Sequence, residues 1–472
     1  MSSPEIPKAV EDAEARHQRL LALDRAHVWH PFTQMQTWIE PLPGDEPVII
    51  DHASGSWIFD TQGRKYLDAI SSLWVNVHGH HRQELDGAIR LQLEKVAHTT
   101  LLGLGSPPSI ELAWELVQRA PRAGLAPGDH GLNKVFFSDS GSTAVEVALK
   151  MAFQHWKQRG IPEKRKFVAL AEGYHGDTIG SVSVGGMDLF HEIFRPLLFG
   201  CLRVPAPYAY RWPTGPKHCL EAAALAAESV IHGRNEEIAA VVIEPLVQGA
   251  AGMITHPPGY LKRIARACKE NNVLLICDEV ATGFGRTGTL FACEQEEVVP
   301  DFLCLAKGLS GGYLPLAATL TTDAVYESFL GPFESKRTFF HGHSYTGNAL
   351  ACAVALASLR LFDEERVLEH SQKMAERLAQ GLAPLAELAH VGDIRQRGMM
   401  IGIELVKDRK TKEEYSYAER MGHKVALMAR KHELMLRPLG NVVVLMPPLS
   451  IKPQEVDLLV DGVRESILEA TG

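Results

Sequence analysis

The chain has 472 residues, 46% of them hydrophobic, enough for a sizeable core and for more than one folding unit. Its net charge is -9 and no dense Lys/Arg stripe appears, which excludes the electrostatic footprint of a protein that binds nucleic acid or an anionic membrane. The seven cysteines stand apart, without a Cys-x-x-Cys pair or zinc spacing, as free thiols of a reducing compartment do.

The first twenty residues, MSSPEIPKAVEDAEARHQRL, mix acids and bases around no apolar core. Neither a secretory signal nor a transit peptide is expected, and no apolar run approaches the roughly 20 residues of a membrane span. The expected location is the cytoplasm. Residues 30–80 read as loops and short strands, with GSWIFDTQGRKYLD (55–68) as two strands joined at Asp-Thr-Gln-Gly.

From about 83 to 325 the pattern changes. KVFF (134–137), KFVALA (166–171), AAVVIEP (239–245), NVLLICD (272–278) and LPLAATLTT (314–322) are short continuous apolar runs, as strands buried on both faces are. Amphipathic stretches alternate with them, including 142–160 and 259–272. This rhythm predicts an α/β unit with a mostly parallel sheet. After about 350 come a long helical stretch (348–385), the strand-like MMIGIELV (399–406) and VVVLMPP (442–448), and a terminal helix. The expected organisation is a large domain over 83–350 and a smaller α+β domain built from 1–82 and 351–472.

ICDEVATGFGRTG (276–288) admits three readings. An ATPase strand ending in Asp278-Glu279 also needs a Gly-Lys phosphate loop, and the chain has no Gly-Lys dipeptide. A dinucleotide fingerprint at Gly283, Gly285 and Gly288 should begin directly after its strand and meet an acid about 20 residues later; neither holds. The third reading pairs Asp278 with Lys307 of LAKGLSGGYLP (305–315), which follows the apolar FLCLA. Pyridoxal phosphate chemistry requires such a pair: an amine that condenses with the cofactor's aldehyde, and a carboxylate that keeps its pyridine nitrogen protonated. The turn Ser140-Gly141-Ser142, between an apolar run and a helix, offers a phosphate anchor. AEGYHGDT (171–178) offers Tyr174 to stack on the ring. Each signal alone has a blander explanation in surface chemistry, capping or packing; together, on successive strand ends, they predict one site.

With these residues assembled, the chain resembles the class III aminotransferases of fold type I over about residues 28–468, through SGSTAVEVALK, EGYHGDT, VVIEPLVQGAAGM, ICDEVATGFGRTG and LAKGLSGGYLPLAAT in order. The resemblance implies that Lys307 holds pyridoxal 5'-phosphate, Asp278 faces the pyridine nitrogen, Val280 packs opposite Tyr174, and Gly141 and Ser142 hold the phosphate. Glu244 would sit behind the cofactor's hydroxyl side. The three glycines become a turn in which Arg286 pairs with a nearby acid. The resemblance also implies a homodimer in which HGHSYTGN (341–348) crosses between subunits, so that Ser344 touches the partner's phosphate.

Within the class, WHPFTQM (29–35), SSLWVNVHGHH (71–81) and RPLGNVVVLMPPL (437–449) resemble the branch that aminates 8-amino-7-oxononanoate in biotin synthesis. By that likeness Arg437 binds the oxo-acid's carboxylate, as a guanidinium fork suits, and Trp74 lines its aliphatic tail. Two positions depart from the members that take S-adenosylmethionine as donor: Phe32 stands for Tyr, and Leu73-Trp74 for a Trp pair. The donor is therefore read as S-adenosylmethionine or lysine. The rival reading is a transaminase for ω-amino acids or diamines; a ligand-sensing regulator on the same scaffold would need a basic DNA-binding unit. His78, His80 and His81 show no spaced acidic or cysteine partner, so no metal site is expected.

Overall fold

The computed structural model describes residues 12–42, 44–122, 125 and 129–472. Its largest sheet contains β1 Leu132–Ser138, β2 Lys166–Leu170, β3 Leu202–Val204, β4 Ile238–Ile243, β5 Leu274–Asp278, β6 Phe302–Leu305 and β7 Ala317–Thr322. Their spatial order is β1-β7-β6-β5-β4-β2-β3. β7 is antiparallel to both neighbours, whereas β6, β5, β4, β2 and β3 pair in parallel. The fold is the α/β architecture of fold type I, with a mostly parallel sheet.

Period-two alternation explains why these strands read as continuous apolar runs. Val241, Ile243, Leu275, Cys277, Leu303 and Leu305 join one core; Ala240, Val242, Leu274, Ile276, Phe302 and Cys304 join another. Helix α1, Gly141–Gln158, adds Val145 and Ala148 to the second core, and helix α2, Tyr260–Glu270, adds Leu261 and Ile264 to the first. Both faces are covered, so their side chains are almost all apolar, and exceptions such as Thr319 and Thr321 donate to the carbonyls of Ala144 and Asp301.

The expected hairpin is present as Trp57–Asp60 and Lys65–Asp68. Its turn closes on Asp60, whose Oδ1 accepts from Gln62 N at 3.0 Å and Arg64 N at 2.9 Å. Leu434–Met435 pairs in parallel with Lys65–Asp68, joining early and late chain in one sheet. A second small sheet has Met400–Leu405 between Val391–Arg397 and Val442–Leu445.

Two features differ from the sequence pattern. The single helical stretch is two helices, α3 Ala349–Glu364 and α4 Val367–Leu382, broken where Arg366 takes φ +52°. The strand Val391–Arg397 has no alternating apolar signal, since only Val391 and Arg395 of its seven residues are buried; its pairing with Met400–Leu405 holds it extended.

Candidate active site

β1, β2, β4, β5 and β6 all point the same way, so the segments leaving them converge on one edge of the sheet. There they line a cavity of about 410 Å³, the size of a small-molecule site. Gly141, Ser142, Tyr174, Glu244, Asp278, Val280, Lys307 and Trp74 all line it.

The first wall is the start of α1. Ser140 caps the helix through its Oγ, which accepts from Thr143 N, while Ser140 N donates to Thr143 Oγ1 at 3.0 Å. The amides of the first turn and the 18-residue helix dipole favour an anion at this end. Ser142 Oγ accepts from Asp177 N at 3.1 Å, which leaves its own O–H free to donate. Two glycines make this approach possible. A Cβ on Gly141 would lie 2.5 Å from Val280 Cγ1, and one on Gly176, at φ +110°, would lie 1.9 Å from Ser142 Oγ.

The charged groups sit at the floor. Lys307 follows β6 in a left-handed conformation, φ +46°, with its Nζ 4.7 Å above the centre of the Trp74 ring. Burial pulls its amine down to about 8, against the opposing pull of Asp278 and Glu244. Asp278, at the end of β5, is buried; its Oδ2 lies 2.7 Å from His175 Nδ1, and its Oδ1 accepts from Val280 N at 3.1 Å. Glu244 accepts from Tyr174 N at 3.0 Å and Gly249 N at 2.9 Å, and burial pushes its carboxyl up to about 7. The Tyr174 hydroxyl donates to Asp177 at 2.7 Å, and its acidity is weakened by burial.

Trp74 reaches the cavity on a strained turn. Ser71, Ser72 and Trp74 have φ of +50°, +62° and +65°, each costing roughly 1–3 kcal/mol for a side chain other than glycine. The turn is therefore held from outside.

Three residues singled out in the sequence lie apart from the cavity lining. Phe32 is 57% exposed and meets Phe190 edge-on at 5.5 Å, and Phe190 in turn meets Tyr174 at 6.4 Å. Ser344 is exposed, its carbonyl accepting from His98 Nε2 at 2.7 Å. Arg437 is exposed and has no ion pair among the described residues. Arg286 corrects an expectation: it meets no carboxylate at ion-pair distance but donates to Pro447 O and Asn76 O, both at 2.7 Å, and burial lowers it to about 9. The histidine segment needs a correction too. His80 lies 2.8 Å from Asp68 and His81 3.0 Å from Asp86, so both have acidic partners. No group of three metal-ligating side chains comes together among the described residues. His175 was missed; it stands beside Tyr174 in EGYHGDT, but its partner Asp278 is 103 positions away.

Residues 42–467 match the class-III aminotransferase family. The chain belongs to that family. It is 56% identical to the adenosylmethionine-8-amino-7-oxononanoate aminotransferase of Nitratidesulfovibrio vulgaris, over 97% of this chain and 83% of that one. The protein of the same name from Methanocaldococcus jannaschii has a crystal structure that superposes with TM-score 0.90 at 46% identity, covering 96% of this chain and 99% of that one. An ω-transaminase from Pseudomonas jessenii, solved in complex with PMP, superposes with the same TM-score at 33% identity, covering 96% and 98%. The enzyme is thus a pyridoxal phosphate-dependent aminotransferase. Its cavity fits that cofactor: an amine for an aldehyde, a buried carboxylate for a pyridine nitrogen, and a helix start for a phosphate, with glycines where a Cβ would collide with Val280 and Ser142 of the same lining.

Proposed function

We propose that this enzyme aminates 8-amino-7-oxononanoate to 7,8-diaminononanoate, the aminotransferase step of biotin synthesis, with S-adenosylmethionine as donor. The observation that carries the reading is the 56% identity over 97% of the chain to a relative of that name. Pyridoxal phosphate, when bound, supplies an aldehyde that condenses with amines and a ring that accepts the electron pair left when a C–H proton departs.

The residues divide the remaining work. Lys307 would hold the aldehyde and then carry the proton between substrate and cofactor. An amine at about 8 is roughly one-tenth neutral at pH 7, far more than an ordinary lysine, so burial prepares it as a base. Asp278 would keep the ring nitrogen protonated, with His175 fixing the carboxylate from behind. Gly141 and Ser142 would hold the phosphate, Tyr174 and Val280 the ring, and Glu244 the cofactor's hydroxyl side. Trp74 would line the acceptor's aliphatic tail. Arg437 would take the acceptor's carboxylate; its exposed guanidinium, without an ion pair among the described residues, supports this.

Assembly and organisation follow the same reading. We take the enzyme as a cytoplasmic homodimer whose segment 341–348 brings Ser344 to the partner's phosphate. The large apolar side chains Leu102, Phe333 and Phe340, exposed at 89%, 98% and 79% in the single chain, support burial against a second copy. Residues 83–350 would form the cofactor-binding domain and 1–82 with 351–472 the smaller one, a division that the pairing of Leu434–Met435 with Lys65–Asp68 supports. Phe32 stands where members that use S-adenosylmethionine have Tyr, which keeps lysine as the second candidate.

The test is a half-reaction assay. S-adenosylmethionine, lysine, alanine and glutamate are supplied separately to the yellow loaded enzyme, and the loss of its band is followed. Bleaching by S-adenosylmethionine, with 7,8-diaminononanoate formed on adding the acceptor, is the expected result. Bleaching by lysine alone would replace the donor; bleaching only by alanine or glutamate would replace the reaction by ω-transamination. Borohydride should fix the cofactor on Lys307, and retention on another lysine would overturn the site.

A further inference from the structure

The strained turn that presents Trp74 is gripped at several points. Asp68, 1% exposed, receives Ser72 N on both carboxylate oxygens, at 3.0 and 2.8 Å, and Ile70 N at 3.4 Å. His80 Nε2 lies 2.8 Å from Asp68 Oδ2, and the His80 backbone is tied to Gly55 by two hydrogen bonds. Ser71 Oγ donates to Met446 O, and Arg286 holds the carbonyl of Asn76 just beyond the turn. On the cavity side, a Cβ on Gly312 of the lysine loop would lie 2.9 Å from Asn76 N, and one on Gly249 would lie 3.3 Å from the Trp74 ring.

We propose that Asp68 is a positioning residue for transamination: it holds the left-handed turn in the conformation that lays the Trp74 indole against Lys307. Of these grips, Asp68 is the one that supplies a negative charge, and its carboxylate meets the amide of Ser72, a residue within the turn itself that without a captor returns to negative φ. Once it does, the chain direction into Trp74 changes and the indole leaves the amine. The inference rests on reading Lys307 as the reactive amine and assigns a residue outside the cavity lining to that chemistry.

The experiment uses Asp68→Asn, which keeps the shape but removes the charge and one acceptor. In cofactor-free full-length enzyme, the rate at which an amine-reactive ester labels Lys307 is followed against pH by peptide mass spectrometry. Asp278, Glu244 and Arg286 face the amine and stay in place. Loss of the Asp68 charge alone would move the Lys307 midpoint down. Loss of the indole gives up a cation–π contact that favours the charged amine but admits water, and because burial is the larger influence the net move is up from about 8 toward an ordinary lysine. We expect an upward move, with kcat/KM for 8-amino-7-oxononanoate reduced tenfold or more. In a Trp74→Ala background the same Asp68→Asn change should cost less than twofold, because the residue it acts through is gone. An unchanged or lowered midpoint, or an equal loss in both backgrounds, overturns the proposal. Should Asp68→Asn not fold, His80→Gln loosens the same carboxylate from the far side, and the same two readouts decide. If borohydride fixes the cofactor elsewhere, the function reading fails on its own, because the Lys307 titration needs no cofactor.

Discussion

Gly141→Ala tests whether the cavity is shaped for a ligand at the helix start. The added Cβ would lie 2.5 Å from Val280 Cγ1 and 3.1 Å from Cγ2, whereas carbon atoms rest at about 3.5–4.0 Å. One side must therefore yield by about 1 Å. Overpacking of this kind costs about 1–3 kcal/mol, and the helix preference of alanine over glycine returns at most about 1 kcal/mol. Val280 lines the cavity, so its displacement would fall on a cofactor held there. If the strain is released only without ligand, the cofactor dissociation constant rises about 5- to 150-fold. Absorbance titration of the cofactor-free protein measures this, with a thermal melt to separate binding from folding. Val280→Ala in the same chain removes both offending methyls and should restore much of the loss, giving a coupling of about 0.5–3 kcal/mol in the double-mutant cycle. Wild-type affinity in Gly141→Ala, or strictly additive effects, would refute the reasoning.

Asp278→Asn should keep its fold and some cofactor but lose orders of magnitude in turnover, since a neutral amide no longer holds the ring proton; near wild-type rates would count against its role. Mixing inactive Lys307→Ala chains with inactive Ser344 variants should restore partial activity if sites are shared between subunits, whereas a fully active monomer in ultracentrifugation would exclude sharing. Glu279 is buried, accepts from Ala292 N and Cys293 N at 2.7 and 2.8 Å, and has its carboxyl pushed by burial from 4.5 up to about 7. The folded state then binds the extra proton between those values, so this group's stabilisation is complete below about 4.5 and is lost as pH rises through 7. In urea unfolding of cofactor-free protein, Glu279→Gln should lessen the fall in stability between about pH 5 and 7 by about 1.4 kcal/mol per pH unit; equal slopes would refute the assignment.

The parts of this molecule legible in sequence are those whose cause is local. Strands buried on both faces must be apolar throughout, so β4, β5 and β6 could be read directly. Chemistry-bearing residues follow those strands at once, which is why Asp278 and Lys307 stood out. What escaped depends on distance along the chain. His175 and Asp278 meet across 103 positions, and nothing near either announces the other. The resemblance implied an acid beside Arg286; the fold instead brings it two carbonyls, from residues 161 and 210 positions away. Val391–Arg397 is extended because a neighbouring strand pairs with it, a cause its own composition does not contain.

The same division runs through function. The fold superposes equally well on the Methanocaldococcus jannaschii structure and on an ω-transaminase, each with TM-score 0.90. On the proposed assignment, the buried floor with Lys307, Asp278, His175 and Glu244 would serve any transamination, because every reaction of the class moves a proton against the same cofactor. On the proposed reading, selection among amines would fall to residues beyond the lining, where Phe32 leans on Phe190, Phe190 on Tyr174, and the Tyr174 hydroxyl donates to Asp177. A polar donor therefore finds no free hydroxyl in that aromatic chain. Leaving one polar group unmet costs about 1–3 kcal/mol, a change of about 5- to 150-fold in preference. On that reading, one phenolic oxygen at position 32 would be enough to reorder donors while leaving the buried floor unchanged. Phe32→Tyr should raise kcat/KM for S-adenosylmethionine relative to lysine within that range, and an unchanged ratio would remove position 32 from donor selection.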